Sequence, residues 1–209
     1  MTKFFGKDQS GFYNNFIELS PGLYTPLISK NACSTLFYSL IWSKNDIKYK
    51  NLQQYDTLSG LWYKRQKYII NDISILESQN CFAVIRDPLD RIASAYKTLS
   101  YTELGMTIDI YVNNVLDAFK LAEDSKYIDR HIASQFIQYN SELINEYVKI
   151  EDLSTFLCSK NIEYMTINKS KHQIDFSNYK PELLPYLESD YEIYNNIINS
   201  KQLYKPGDK

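Results

Sequence analysis

The chain has 209 residues, a formal charge of −2 and an apolar share of 44%. That length suits one domain with a sizeable core, and that apolar share argues against disorder as the main state. With a pI of about 5.8 there is no bulk basic field to draw the protein to nucleic acid or anionic membrane, so any anion site must be local.

In chain order, the N-terminal stretch MTKFFGKDQSGFYNNF lacks the long apolar core of a signal peptide. GLYTPLI (22–28) reads as a first strand, and STLFYSLIW (34–42) continues as a helix with Leu36, Leu40 and Ile41 on one face. Residues 43–80 are rich in Lys, Tyr, Asn and Gln and read as a variable excursion with one helix around 62–76. CFAVI (81–85) is a short continuous apolar run, the mark of a strand buried on both faces. Asp87 can then cap a helix whose first residue is Pro88, with Leu89, Ile92, Tyr96 and Leu99 at helical spacing. A helix over 107–125, a strand over 147–150, a helix over 151–161, a short strand over 164–168 and a Pro-initiated helix over about 181–200 complete the series. Strands alternating with helices predict an α/β domain over 1–209, with a mostly parallel central sheet flanked by helices.

The three cysteines, Cys33, Cys81 and Cys158, show no metal-ligand spacing, and Cys81 and Cys158 lie in apolar runs that suggest core thiols. No run approaches the roughly 18 apolar residues of a membrane span, so a cytoplasmic protein is the expectation. Tyr is frequent, at 19, and Gly scarce, at 6. The tyrosines are expected mainly in amphipathic core and surface positions.

Two segments carry anion chemistry. In LISKNACSTLFYSL (27–40) a strand runs through a turn into a helix, so backbone N–H groups converge on one point. Lys30 adds a positive charge there, and Ser34 and Thr35 add hydroxyls. The turn has no glycine and is no Walker loop, because G-x-x-x-x-G-K-[ST] is absent. In RDPLDRIASAY (86–96), Arg86 stands at the carboxyl end of the buried strand, where open α/β sheets bind ligands. Its guanidinium can fork onto a phosphate, with Ser94 donating from the side of the following helix. An Arg86 pair with Asp87 or Asp90 is the plain structural alternative.

Together, SKNACSTL and FAVIRDPLDRIASAY resemble the two signature segments of sulfotransferases that use 3′-phosphoadenosine 5′-phosphosulfate (PAPS), closest to the carbohydrate-type branch. That pattern is P-K-x-x-x-[ST]-[ST]-L with R-D-P-x-x-R-x-x-S-x-Y. Arg86, Asp87, Pro88, Arg91, Ser94 and Tyr96 fill the second segment, and Ser29 stands where the first often has Pro. DRHIASQF (129–136) resembles the D-x-H-x-x-P-Q stretch with Ser134 for Pro, YVKIEDL the strand followed by Glu, and INKS (167–170) a late N-[KR]-S turn.

The resemblance implies a P-loop-like sulfotransferase fold, PAPS as co-substrate, 3′,5′-bisphosphoadenosine (PAP) as product and no metal. It implies a hydroxyl-bearing, glycan-like acceptor. Lys30, Asn31, Ala32, Cys33, Ser34 and Thr35 would hold the 5′-phosphosulfate, Arg86 and Ser94 the 3′-phosphate, and Asn168, Lys169 and Ser170 the nucleotide. Lys30 would stabilise the leaving oxygen, and His131 is the preferred base over His172, Glu151, Asp129 and Glu77. Two other readings stand beside it: an ATP-dependent P-loop-type kinase, against which CFAVI ends in Arg rather than Asp, and a nucleotide-binding module without turnover.

Overall fold

The computed structural model of the protein describes residues 15–45, 68–70, 72–100, 106–124, 129, 131–164 and 175–207. Strand β1 (Phe16–Ser20) and strand β2 (Leu23–Pro26) pair antiparallel across Pro21 and Gly22. Gly22 turns at φ 75°, a left-handed conformation that glycine adopts without steric cost. Helix α1 (Cys33–Asn45) follows, and a two-residue strand β3 (Ile69–Ile70) adds antiparallel to β1. Strand β4 (Asn80–Ile85) lies parallel to β2, and strand β5 (Glu146–Lys149) parallel to β4. The sheet order is β3-β1-β2-β4-β5. Helices α2 (Pro88–Ser100), α3 (Ile108–Asp124), α4 (Leu153–Ser159) and α5 (Lys180–Ile198) complete the described elements.

β4 is buried on both faces, as its apolar run requires. Phe82 and Val84 pack with Leu36 and Leu40 of α1 and Phe156 of α4, whereas Cys81, Ala83 and Ile85 pack on the other face with Tyr139, Tyr147 and Ile197. A third cluster joins α2, α3 and α5 through Ile92, Tyr111, Val115 and Leu183, with Ile132 inside it. Tyr96 and Tyr111 meet edge-on at 5.2 Å, and their hydroxyls donate to the carbonyls of Met106 and Ile92, both at 2.8 Å. These tyrosines are core residues whose polar tips are satisfied by backbone. Beyond β5, Leu203 bridges Tyr147 in parallel, with Tyr147 N–H donating to Gln202 O and Tyr204 N–H to Tyr147 O, each at 2.8 Å.

Several expectations need correction. The sheet is mixed, not mostly parallel, because the Pro21-Gly22 turn folds β1 back on β2 and β3 then adds antiparallel to β1. The helix expected around 62–76 is, where described, strand β3 followed by a 3-10 turn at Ile73–Leu76 that Asp72 caps. Of the strand expected at 164–168, Tyr164 carries no strand structure and the rest lies outside the described residues. Cys158 is exposed, not a core thiol: α4 buries Leu153, Phe156 and Leu157, and position 158 turns off that face. Ile41, Leu99 and their expected contacts fall outside the described side chains. Among the described residues no helix is long and apolar enough to cross a membrane.

Candidate functional site: two adjoining anion cradles

β2, β4 and β5 run parallel, so their carboxyl ends share one edge of the sheet. The loop 27–32 leaves β2 there, Arg86 leaves β4, and Glu151 follows β5. This is the edge at which α/β sheets leave backbone groups unpaired and open to ligands.

The first loop achieves its curvature without glycine. Lys30 has φ 68° and Ala32 has φ 59°, while Asn31 between them does not have positive φ. The two left-handed residues flank Asn31, whose N–H donates to Ile28 O at 3.2 Å, and they curl the loop as anion-binding loops are curled. For L-residues each left-handed position costs about 1 kcal/mol or more, so the surroundings must hold the loop. Asn31 is that anchor: fully buried, its Nδ2 donates to Val84 O at 2.9 Å and to Gln135 Oε1 at 2.6 Å. Ser29 N–H donates to Gln138 Oε1 at 3.0 Å. Cys33 opens α1, and Ser34 and Thr35 lie in its first turn, Ser34 half-buried and Thr35 buried.

The second cradle begins where β4 ends. Asp87 Oδ1 accepts the N–H groups of Leu89 and Asp90 at 2.9 and 3.2 Å, and the Tyr191 hydroxyl at 3.1 Å. Asp87 is therefore committed to starting α2. Among the described residues neither Asp87 nor Asp90 forms an ion pair with Arg86 within 4.0 Å. Arg86 Nη1 instead donates to Lys30 O at 3.4 Å, which puts the two cradles in contact. Arg86 is half-buried, and burial lowers its guanidinium pKa against the opposing charges of Asp90, Glu151 and Asp87. Its Nε and the Asn31 Oδ1 are buried without a hydrogen-bond partner. A desolvated guanidinium with an unused N–H beside the strained loop and the start of α1 fits an anionic ligand. Ser94, half-buried two turns along α2, makes no hydrogen bond with a described residue.

A third segment, 131–139, joins the strand ends through Gln135, bonded to Asn31 and Arg86, and Gln138, bonded to Ser29. The His131 Nδ1 lies 2.7 Å from Asp129 Oδ1, and the same oxygen accepts the His131 backbone N–H at 2.7 Å. With Asp129 buried and His131 half-buried, this pairing fixes the ring and keeps the proton on Nδ1. Nε2 is then the basic nitrogen, and it makes no hydrogen bond with a described residue. Glu151 is exposed at the same sheet edge, whereas Glu77 is exposed at the opposite end of β4. Asn168, Lys169, Ser170 and His172 lie outside the described residues.

Two residues absent from the sequence-based site emerge here. Gln135, fully buried, accepts Arg86 N–H at 3.1 Å and donates to Arg86 O at 2.8 Å while also holding Asn31. Arg91, fully buried, donates to the carbonyls of His131 (3.1 Å), Ile132 (2.9 Å) and Ala133. Both residues were visible within the two motif stretches, but nothing in one sequence says which of those polar positions turn inward. No protein-family model, curated protein or solved structure matches the chain.

Proposed function

We propose that the protein is a PAPS-dependent sulfotransferase acting on a hydroxyl of a glycan-like acceptor, with a P-loop-like sulfotransferase fold. The observation that carries this reading is the contact between the two cradles, Arg86 Nη1 to Lys30 O at 3.4 Å. A ligand with anionic groups on both its 5′ and 3′ sides needs two such sites side by side. The motif resemblance supplies the identity of that ligand.

On this reading the loop 29–35 receives the 5′-phosphosulfate, and Arg86 with Ser94 receives the 3′-phosphate. The acceptor oxygen bonds to sulfur as the bond from sulfur to the bridging phosphate oxygen breaks. The acceptor's proton passes to His131 Nε2, made available because Asp129 holds Nδ1. Negative charge grows on the bridging oxygen, next to Lys30 and the amides of the loop, which are already oriented before the reaction. PAP leaves with that charge.

Titration calorimetry with PAP and AMP tests the reading. PAP should bind about tenfold to a hundredfold more tightly, the worth of charge-assisted hydrogen bonds to the added phosphate. Arg86→Ala should abolish most of that difference. Equal binding of the two nucleotides to the unaltered protein would refute it, and binding of PAP without any sulfuryl transfer would leave a nucleotide-binding module.

A further inference from the structure

The two cradles belong to different strands, and the sheet does not hold them together at the level of the ligand. The β4–β5 ladder ends with Ile150 N–H donating to Ile85 O at 2.9 Å, so Arg86 is the first residue beyond it. The loop at 30–32 is likewise past the end of β2 and carries two left-handed residues. Arg86 Nη1 reaches Lys30 O and Asn31 Nδ2 reaches Val84 O, and one further side chain bonds both segments at once. Gln135 Oε1 accepts from Arg86 N–H at 3.1 Å and from Asn31 Nδ2 at 2.6 Å, and its Nε2 donates to Arg86 O at 2.8 Å.

Backbone groups fix the orientation of both amides. Only Nδ2 of Asn31 can donate to Val84 O, and only Oε1 of Gln135 can accept the Arg86 N–H. Gln135 thus grips Arg86 on its N–H and its C=O, as a neighbouring strand would, and ties it to Asn31 in the strained loop. The carboxamide has no exposure to solvent, so water cannot replace it.

We propose that Gln135 is a positioning residue that sets the spacing of the two cradles and thereby the preference for a ligand with two anionic groups. The inference rests on the sulfotransferase reading and adds to it. A ligand occupying only the loop does not sense the spacing. A ligand spanning both sites does, because a displacement of about 1 Å at one end lengthens hydrogen bonds whose useful range is only about 0.5 Å.

The experiment compares PAP and AMP binding in the wild-type protein, Gln135→Met and Gln135→Asn. Methionine keeps length and volume but makes none of the three bonds, and asparagine keeps the chemistry but is one methylene short. Circular dichroism and the fitted stoichiometry report the folded fraction, so the affinity ratio refers to folded molecules. PAP affinity should fall by about tenfold or more in Gln135→Met and by clearly more than AMP affinity, so that the PAP-to-AMP ratio falls. Gln135→Asn, which keeps a carboxamide in the buried site, should show the same fall in ratio and serves if Gln135→Met does not fold. A buried glutamine of purely structural importance would reduce the folded fraction and leave the ratio unchanged, and that result would overturn the proposal. A wild-type protein that fails to prefer PAP would remove the underlying reading, and the proposal with it; this failure is visible before any variant is made.

Discussion

The His131 imidazole and the Asp129 carboxylate form a dyad in which one carboxylate oxygen, Oδ1, meets both the ring Nδ1 and the backbone N–H of the same histidine at 2.7 Å. Binding the side chain and the main chain to one oxygen leaves the ring little rotational freedom. A base held this way needs no reorganisation before it accepts a proton.

On the proposed sulfotransferase reading, His131→Ala should lower the rate of sulfuryl transfer by about 10²–10⁴-fold, the usual contribution of a positioned general base. Asp129→Asn should reduce the rate by a smaller factor, since it frees the tautomer without removing the base. Neither change should weaken PAP binding, because neither side chain belongs to the cradles. Steady-state rates together with calorimetry on the same preparations check both statements, and transfer that persists unaltered in His131→Ala would remove the residue from its role.

The glycine-free loop makes an independent prediction about stability. Ala32 at φ 59° bears left-handed strain of about 1–2 kcal/mol, which glycine would relieve, while glycine's freer unfolded chain takes back about 0.4–1 kcal/mol. Ala32→Gly should thus be neutral or stabilising by up to about 1.6 kcal/mol in urea denaturation. Ala32→Val, branched at Cβ, should destabilise by at least about 1 kcal/mol. A loss of stability in the glycine variant would contradict the strained geometry.

Arg91 holds the His131 turn from beneath. It stands fully buried with its guanidinium on three carbonyls of residues 131–133, and Asp190, itself buried, is its closest compensating charge by effect. Arg91→Met would orphan those carbonyls and leave the Asp190 carboxylate without that charge. A loss of about 3–5 kcal/mol in unfolding free energy is expected. Burial pushes the Arg91 guanidinium down to about 10 from its ordinary value. The folded pKa lies below the unfolded one, so the folded state sheds this proton first and stability from this group rises only between those two values. The difference between wild type and Arg91→Met should hence be flat with pH near neutrality, which denaturation at several pH values would reveal.

At the acid end the opposite sign applies. Asp72 accepts the Ser74 hydroxyl at 2.7 Å and its N–H at 3.1 Å, and these bonds hold its carboxyl below the usual 3.8. Asp175, bonded to Ser177 N–H at 2.8 Å, is lowered for the same reason. With the folded pKa depressed, their contribution is complete above the unfolded value and is lost as pH falls through the folded one. Asp72→Asn should flatten that acid limb of the denaturation midpoint. An unchanged limb would show that the cap carries no linkage.

How much of this was legible in the chain depends on the range of the interaction. The β4 run CFAVI, the Asp87-Pro88 start of α2 and the α1 face of Leu36 and Leu40 follow from local periodicity and capping, and each took the expected form. The antiparallel β1 did not emerge, although Pro21-Gly22 between two apolar runs signals a hairpin. Cys158 was misplaced because an apolar neighbourhood in sequence says nothing about which side of a short helix a residue occupies.

The amino-acid order alone determined which residues stand at strand ends and helix starts, since those positions are set by contacts a few residues apart. Only the tertiary structure decided that the loop at 30 and the arginine at 86 touch, that Gln135 joins them over separations of 104 and 49 residues, and that Arg91 turns inward to support His131. Such pairings depend on the parallel packing of β2, β4 and β5, and a polar side chain's partners across that distance leave no local periodicity to read.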